Sequence, residues 1–267
     1  MGPNAWRYMF LLGVLPAFLT LWVRKAMPES AVWERVNDRR REAIDIRRSG
    51  APLQEQDQAL ARFTLVDLFH NPEARRRAII AFLMSLATTI GFWGISTWVP
   101  PYIALVAANA ALPGAQWAGF AGMAYNAGAF GGYLAFGILA DAWGRKPTTM
   151  LYFVGAFVFV PVLFLWTRDL AFLLVAAAAL GWFATGQYTW MAAWLPELFP
   201  TRIRATGAGF VFNAPRFIAW VGPLIAGTLI ATFGGFGRAA MAIGAIYILG
   251  LLAAFFLPET KGKPLPT

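Results

Sequence analysis

The chain of 267 residues contains no cysteine and a single histidine. The first absence removes disulfides and every cysteine-based metal site or thiol nucleophile. The second leaves His70 in a polar stretch without partners at metal-ligand spacing. No Ser/His/Asp or Cys/His set can be assembled, and no glycine-rich loop that would cradle a phosphate is present. The sequence therefore predicts neither an enzyme nor a cofactor. Charge is also scarce, at 13% of residues against a usual ~25%. It is unevenly placed: 13 of the 22 Lys and Arg fall between Arg7 and Arg77. No Asp or Glu stands in the middle of any apolar stretch.

Apolar residues make up 59% of the chain, above the ~45–50% of soluble domains. From Ala78 onward they form long blocks separated by short charged or Gly/Pro-rich breaks. A hydrocarbon core of ~30 Å needs about 20 apolar residues per helix, and several blocks reach that length. The fold class expected is an all-α, polytopic transmembrane bundle in a lipid bilayer. The net charge of +9 does not argue for nucleic acid. A nucleic-acid binder gathers basic residues on one folded surface, whereas here they flank apolar spans.

Seven spans are expected, at 8–27, 78–108, 117–140, 148–167, 170–195, 205–233 and 239–257. The first is no signal peptide, because Arg24 and Lys25 follow it without a small-residue cleavage site. Loop charge then predicts topology. The basic connector 28–77, the turn Asp141–Lys146, the loop Pro196–Arg204 and the tail 258–267 with Lys261 and Lys263 all fall inside. The uncharged loop at Pro113–Gln116, the pair Arg168-Asp169 and the turn Gly234–Arg238 fall outside. An odd count, with the C-terminus cytoplasmic, satisfies every loop. In the connector, Arg35, Arg39, Arg40 and Arg41 interleave with Glu34, Asp38 and Glu42. That pattern suits a solvated helix with i,i+4 ion pairs, or one lying on anionic headgroups.

Two segment ends echo each other: Met27-Pro28-Glu29-Ser30 and Leu257-Pro258-Glu259-Thr260-Lys261-Gly262. Between them, Gly137-Ile-Leu-Ala-Asp141-Ala-Trp-Gly144-Arg145-Lys146 resembles the G-x-x-x-D-x-x-G-R-R/K signature of the major facilitator superfamily, between its helices 8 and 9. Pro196-Glu197-Leu-Phe-Pro200-Thr201-Arg202-Ile-Arg204 resembles the loop between helices 10 and 11 of the same superfamily. The two Pro-Glu ends resemble sugar-porter motifs after helices 6 and 12. With these motifs in order, the chain resembles the C-terminal portion of such a carrier: 1–27 is the helix 6 equivalent and 78–257 the six-helix C-terminal half. Among subfamilies it is most similar to proton symporters of organic acids, of the sialate, carboxylate or aromatic acid type. The resemblance implies a small organic anion as substrate, a proton as partner, alternating access, residence in a bacterial cytoplasmic (inner) membrane, and a missing N-terminal half holding helices 1–5. It also implies that Asp141, Gly144, Arg145, Lys146, Glu197, Arg202 and Arg204 close the cytoplasmic side. A truncated, non-transporting membrane protein and a sugar- or polyol-type carrier fragment are the alternatives.

Arg216 is the one charge placed mid-span from Ala78 onward. A cation at a helix centre costs about 2.5–3.5 kcal/mol on insertion scales, so it must face a cavity or a partner. With no mid-span carboxylate in the chain, the counter-charge is a ligand, a residue of another half, or backbone carbonyls. A guanidinium fork suits a carboxylate. Gly209, Asn213, Arg216 and Trp220 share one helical face, and Pro215 and Pro223 interrupt the same helix. Gln187, beside Tyr188, and Asn126, beside Tyr125, either line a cavity or join helices. The binding set expected is Arg216, Asn213, Gln187, Asn126, Tyr188 and Tyr125. Gly128 and Gly132, at GxxxG spacing, suit close helix packing. Trp98 and Tyr102, around Pro100 and Pro101, suit an interfacial aromatic belt or an external gate.

Overall fold

A computed structural model describes residues 5–28, 31–52, 54, 57, 60, 62–166 and 168–266. It divides into two compact units, Met1–Ala61 and Arg62–Thr267. All the described elements are helical. The first unit holds α1 (Ala5–Ala26) and α2 (Ala31–Arg48). Arg24 and Lys25 close α1, where cations complement the carbonyl end of the helix dipole. In α2 the charges stay solvated while Ala43 is buried. Its Arg39 lies 3.8 Å from Asp57 in an exposed pair that contributes little. Glu29 and Ser30, half of the first echoed motif, lie outside the described residues.

The second unit is a bundle. Helix α3 (Thr64–His70) leads into α4 (Pro72–Ser96), which starts six residues before the span expected from 78. Asn71 Oδ1 accepts from the N–H of Glu73 at 2.9 Å and of Ala74 at 3.1 Å, while Pro72 occupies the first helical position, where no N–H is needed. After a break at Thr97 and Trp98, α5 (Val99–Asn109) continues the span. The remaining elements are α6 (Gly114–Ala142), α7 (Arg145–Pro161), α8 (Leu170–Leu180), α9 (Thr189–Ala193), α10 (Arg204–Asn213), α11 (Arg216–Ala219), α12 (Val221–Thr232), α13 (Phe236–Gly244) and α14 (Ile246–Phe256). Pro161 cannot donate its backbone N–H, and α7 widens into a π-helical turn over Val162–Trp166 just after it. Helix α8 runs into a second such turn at Gly181–Thr185.

Each of the seven segments expected to span the bilayer is helical. Among the described residues, four are long and apolar enough to cross it: Pro72–Asn109, Arg145–Trp166, Leu170–Ala193 and Phe236–Phe256. A fifth is formed if Arg204–Ala219 and Leu224–Thr232, bent by 59°, count as one broken span. Helices α1 and α6 are long but fall outside that set. The bend lies between Trp220 and Pro223, one turn beyond the Pro215 break, so the shared face expected for Gly209, Asn213, Arg216 and Trp220 does not run through an unbroken helix.

Packing is governed by glycine on α6. A Cβ on Gly128 would lie 1.8 Å from the carbonyl oxygen of Ala178, and one on Gly132 would lie 2.2 Å from that of Trp182. Across the same contact, a Cβ on Gly181 would lie 2.1 Å from the Tyr125 carbonyl oxygen. The backbones of α6 and α8 therefore touch directly, as small-residue spacing allows in lipid. Tyr152 locks the contact by donating to the Gly132 carbonyl at 2.8 Å. On the other side of the bundle, α14 packs against α4 and α7. Trp98 and Tyr102, expected in an interfacial belt or an external gate, are buried in the bundle and so do not form a belt. The Tyr102 hydroxyl donates to the Phe164 carbonyl at 3.0 Å, which draws α5 onto the end of α7.

Gly132→Val should lower the thermal midpoint of the detergent-solubilised protein by an amount equivalent to about 1–3 kcal/mol, the usual range for overpacking. Gly119→Ala, whose Cβ meets nothing within 4 Å, should be neutral or stabilising by up to about 1 kcal/mol. Equal effects of the two would contradict the backbone contact.

Candidate functional site

Two regions collect the residues picked out by sequence. The first is a charged cluster at the turn between α6 and α7. Gly144 sits there with φ +120°, a conformation that favours glycine. A Cβ at this position would also lie 2.5 Å from Glu259 Oε2. The free volume admits the Glu259 carboxylate to the N-terminus of α7. Its Oε1 accepts from the N–H of Arg145 at 3.0 Å, Thr260 at 2.8 Å and Lys261 at 2.9 Å, and its Oε2 from the N–H of Lys146 at 3.0 Å. Partial burial pushes the Glu259 pKa up, but these four backbone donors outweigh it and hold the group below the ordinary carboxylate value.

With its backbone fixed, Arg145 reaches two carboxylates. Nη2 and Nε approach Glu197 at 3.2 Å, and Nη1 donates to Asp141 Oδ1 at 2.8 Å. Both partners of the Arg145–Glu197 pair are about four-fifths buried, whereas the Asp141 side chain is 78% exposed. Thr260 also donates to Glu197. Lys146 donates to the Phe255 carbonyl, and Lys261 to that of Ala142 at 2.7 Å. The C-terminal tail is thereby laced across the end of the bundle. Asp141, implied to help close the cytoplasmic side, pairs with Arg145, and the helix N-terminus is taken by Glu259. Arg202 and Arg204, expected to act with Glu197, do not meet it. Arg202 Nε donates to the buried Asp67 at 2.8 Å, and Arg204 donates to the carbonyls of Pro196 at 2.9 Å and Pro266 at 2.9 Å. Glu259 was visible in the Pro-Glu echo, but its role depends on a close approach over more than a hundred residues of chain. Asp67 gave no signal beyond a lone acid in an otherwise apolar turn.

The second region is an open, aromatic face. One depression of about 690 Å³ is lined by Tyr133, Tyr188, Met191, Leu195, Gly209 and Phe212. A second, of about 480 Å³, is lined by Phe92, Ser96, Tyr125, Asn126, Tyr133 and Thr185. Tyr133 borders both, and Phe92 meets Tyr188 edge-on at 5.3 Å. Thr185 donates to the Tyr125 hydroxyl at 2.8 Å. Arg216 stands at the margin, its guanidinium 3.8 Å from the Phe212 ring centroid and 3.4 Å from Asn213 Oδ1, and it also donates to the Phe212 carbonyl. The Tyr188 hydroxyl lies within its electrostatic reach. Asn126 and Asn213 are exposed, each with its amide turned back onto its own helix, at 2.7 Å from the Gly122 carbonyl and 2.9 Å from that of Gly209. Tyr188 thus lines the first depression, Arg216 and Asn213 stand behind its lining residues Phe212 and Gly209, and Tyr125 and Asn126 line the second. Gln187 joins neither. It is fully buried, donates to the Ala184 carbonyl at 2.9 Å, and has no partner for its Oε1 among the described residues. Tyr133, Thr185 and Phe212 belong to this face but were not picked out as binding residues. Their only sequence signal was helical spacing from Asn126, Tyr188 and Arg216.

The family described as sugar (and other) transporters matches residues 1–267. The chain belongs to this transporter family, within the major facilitator superfamily. Among its relatives are a protein of Haemophilus influenzae named for metabolite transport, 28% identical over 97% of this chain and 60% of that protein. The cis,cis-muconate transport protein of Acinetobacter baylyi is 25% identical over 98% of the chain and 59% of its own length. The sialic acid transporter of Escherichia coli is 24% identical over 95% of the chain and 56% of its own length. The chain therefore spans under two thirds of the length of these relatives. The family is one of membrane transporters rather than enzymes.

Glu197→Gln is expected to destabilise the cluster by about 1.5–3 kcal/mol, the range for a charge-assisted bond, and Asp141→Asn by about 0–1 kcal/mol, the range for an exposed pair. Because the folded Glu259 pKa lies below the ordinary Glu value of about 4.3, its contribution is fully present above that value and is lost as pH falls through the lower folded value. Glu259→Gln should lower the unfolding midpoint at pH 7 and converge with wild type in acid. A constant difference across that window would contradict the assignment.

Proposed function

We propose that the chain provides the C-terminal half of a secondary transporter for a small organic anion, working by alternating access. On this reading Arg216 binds the carboxylate, with Asn213, Tyr188, Tyr125 and Asn126 lining the path and Gln187 bracing the core behind it. The carrying observation is that the Arg216 guanidinium lies over the ring of Phe212, a wall of the open aromatic face whose described lining residues include no carboxylate. A charged-hydrogen-bond fork beside aromatic walls is complementary to an unsaturated or ring-bearing acid. Relatives named for cis,cis-muconate and sialic acid, both carboxylates, support the same reading. Seven spans, a cytoplasmic C-terminus, a bacterial inner membrane and proton coupling complete the proposal. The coupling carboxylate belongs to an N-terminal half equivalent to helices 1–5, which also covers the open face. Asp141, Gly144, Arg145, Lys146 and Glu197 act as the cytoplasmic gate, with Arg202 and Arg204 anchoring the adjoining loop.

Arg216→Leu should leave membrane insertion intact and weaken uptake of labelled organic acid at least about tenfold, the loss of one strong charged contact. Arg216→Lys should recover part of it. A hexose in excess should not compete. Unchanged acid affinity in Arg216→Leu, or efficient competition by hexose, would overturn the reading in favour of a sugar-type carrier.

A further inference from the structure

A third depression, of about 840 Å³, lies at the other end of the bundle from the charged cluster and includes Tyr102, Asn109, Arg168, Gly235 and Arg238 in its lining. Helix α7 with its π turn runs 22 residues from Arg145 to Trp166, so at 1.5 Å per residue the two ends stand ~33 Å apart. This depression differs from the aromatic face in being lined about equally by polar and apolar surface.

Three chain segments build it. Helix α5 contributes Tyr102 from its first turn and Asn109 from its end, the π turn after α7 contributes Phe164 with Arg168 beyond it, and the start of α13 contributes Gly234–Arg238. Gly237 allows the third wall to close, because a Cβ there would lie 2.5 Å from Leu165 Cδ2 and 3.1 Å from the Phe164 carbonyl oxygen. Tyr102 uses its hydroxyl twice, donating to Phe164 and accepting from Arg168 Nη1 at 2.9 Å. The Arg168 guanidinium also lies 5.7 Å from the Tyr102 ring centroid. One of its five donors is therefore occupied in orienting it, and the planar fork is aimed rather than free to sweep. Arg238 brings a second guanidinium to the same depression from the first turn of α13. The neighbouring acid, Asp169, spends one oxygen on the N-terminus of α8, accepting from the Phe172 N–H at 2.8 Å. Two cations facing one concavity repel each other unless an anion lies between them. The placement also runs against topology, since arginine is disfavoured in loops on the outer side, where the proposed orientation puts both.

We propose that Arg168 and Arg238 form an anion-binding vestibule that captures the carboxylate of the transported acid on the outer side before it reaches Arg216. This rests on the organic-anion reading above and adds a second, independent subsite to it. A phospholipid phosphate carries the same chemistry, so the test separates the two sources.

The 267-residue chain is reconstituted in nanodiscs of phosphatidylcholine alone, and cis,cis-muconate is titrated by calorimetry at low salt. Two classes of site are expected. Arg168→Gln/Arg238→Gln should remove one class, with affinity there falling about tenfold or more, and Arg168→Lys/Arg238→Lys should retain much of it. Arg216→Leu should remove the other class alone. If the double glutamine variant binds as wild type does, the vestibule is overturned whatever Arg216 does. If Arg216→Leu is unaffected while the double variant loses a class, the reading of Arg216 fails and the vestibule stands. If muconate shows no arginine-dependent site here, but nanodiscs containing phosphatidylglycerol stabilise wild type and not the double variant, the occupant is a lipid headgroup and the capture role is overturned. A double variant that fails to fold is replaced by the lysine pair measured at rising ionic strength. Loss of the class with salt supports the vestibule, and indifference to salt overturns it.

Discussion

Four backbone N–H groups converge on the Glu259 carboxylate, and the organisation of one end of the bundle follows from that convergence. A helix N-terminus without partners is costly where water is scarce. Here the missing cap is supplied from the far end of the chain. The arrangement needs a residue without a side chain at Gly144, both for its φ and for the room the carboxylate occupies. It fixes Arg145 at the first position of α7, from which the guanidinium meets Glu197 and Asp141 together. It also holds the tail in place, so that the carbonyl of Pro266 can accept from Arg204 and from the N–H and hydroxyl of Thr201. Remove the cap, and the ion pairs lose the backbone that aims them.

The open face is organised by different means. Its walls are aromatic rings on α4, α6, α10 and the stretch between α8 and α9, set by direct backbone contact between α6 and α8 and by few polar bonds. The element that carries Arg216 is the least regular in the bundle, broken after Asn213 and bent by 59° further on. A charged side chain near an irregular backbone is tolerated in a membrane protein where the segment borders a cavity.

Much of the architecture was legible in the residues. Apolar runs located the seven helical segments, whereas the caps at Asn71 and Asp169 came from the structure. Gly128 and Gly132 announced the α6–α8 contact. Breaks within runs were harder. Pro100 and Pro215 warned of them, but the π turn after Pro161 and the bend before Pro223 depend on how neighbouring helices repack the freed carbonyls. At the site, residue type identified the charges but not their partners. The family resemblance grouped Glu197 with Arg202 and Arg204 in one loop, while the fold matches Glu197 with Arg145 and Arg202 with Asp67. Gln187 shows the same limit. Its polarity suggested a cavity, yet helical phase turns it into the core beside α14. Burial of Trp98 and Tyr102 likewise follows from α5 leaning onto α7, which no periodicity encodes.

The central claim is that the aromatic face lines a water-filled path for an organic acid and does not face lipid. The absence of cysteine makes this directly measurable, since any cysteine introduced is the only one in the chain. Asn126→Cys, on the open face, is labelled with a membrane-impermeant maleimide, beside Val158→Cys, an exposed apolar position on α7. The account predicts that Asn126→Cys reacts, that cis,cis-muconate slows the reaction while glucose does not, and that Val158→Cys stays unreactive. Equal silence at both positions, or protection by glucose in place of the acid, would contradict it.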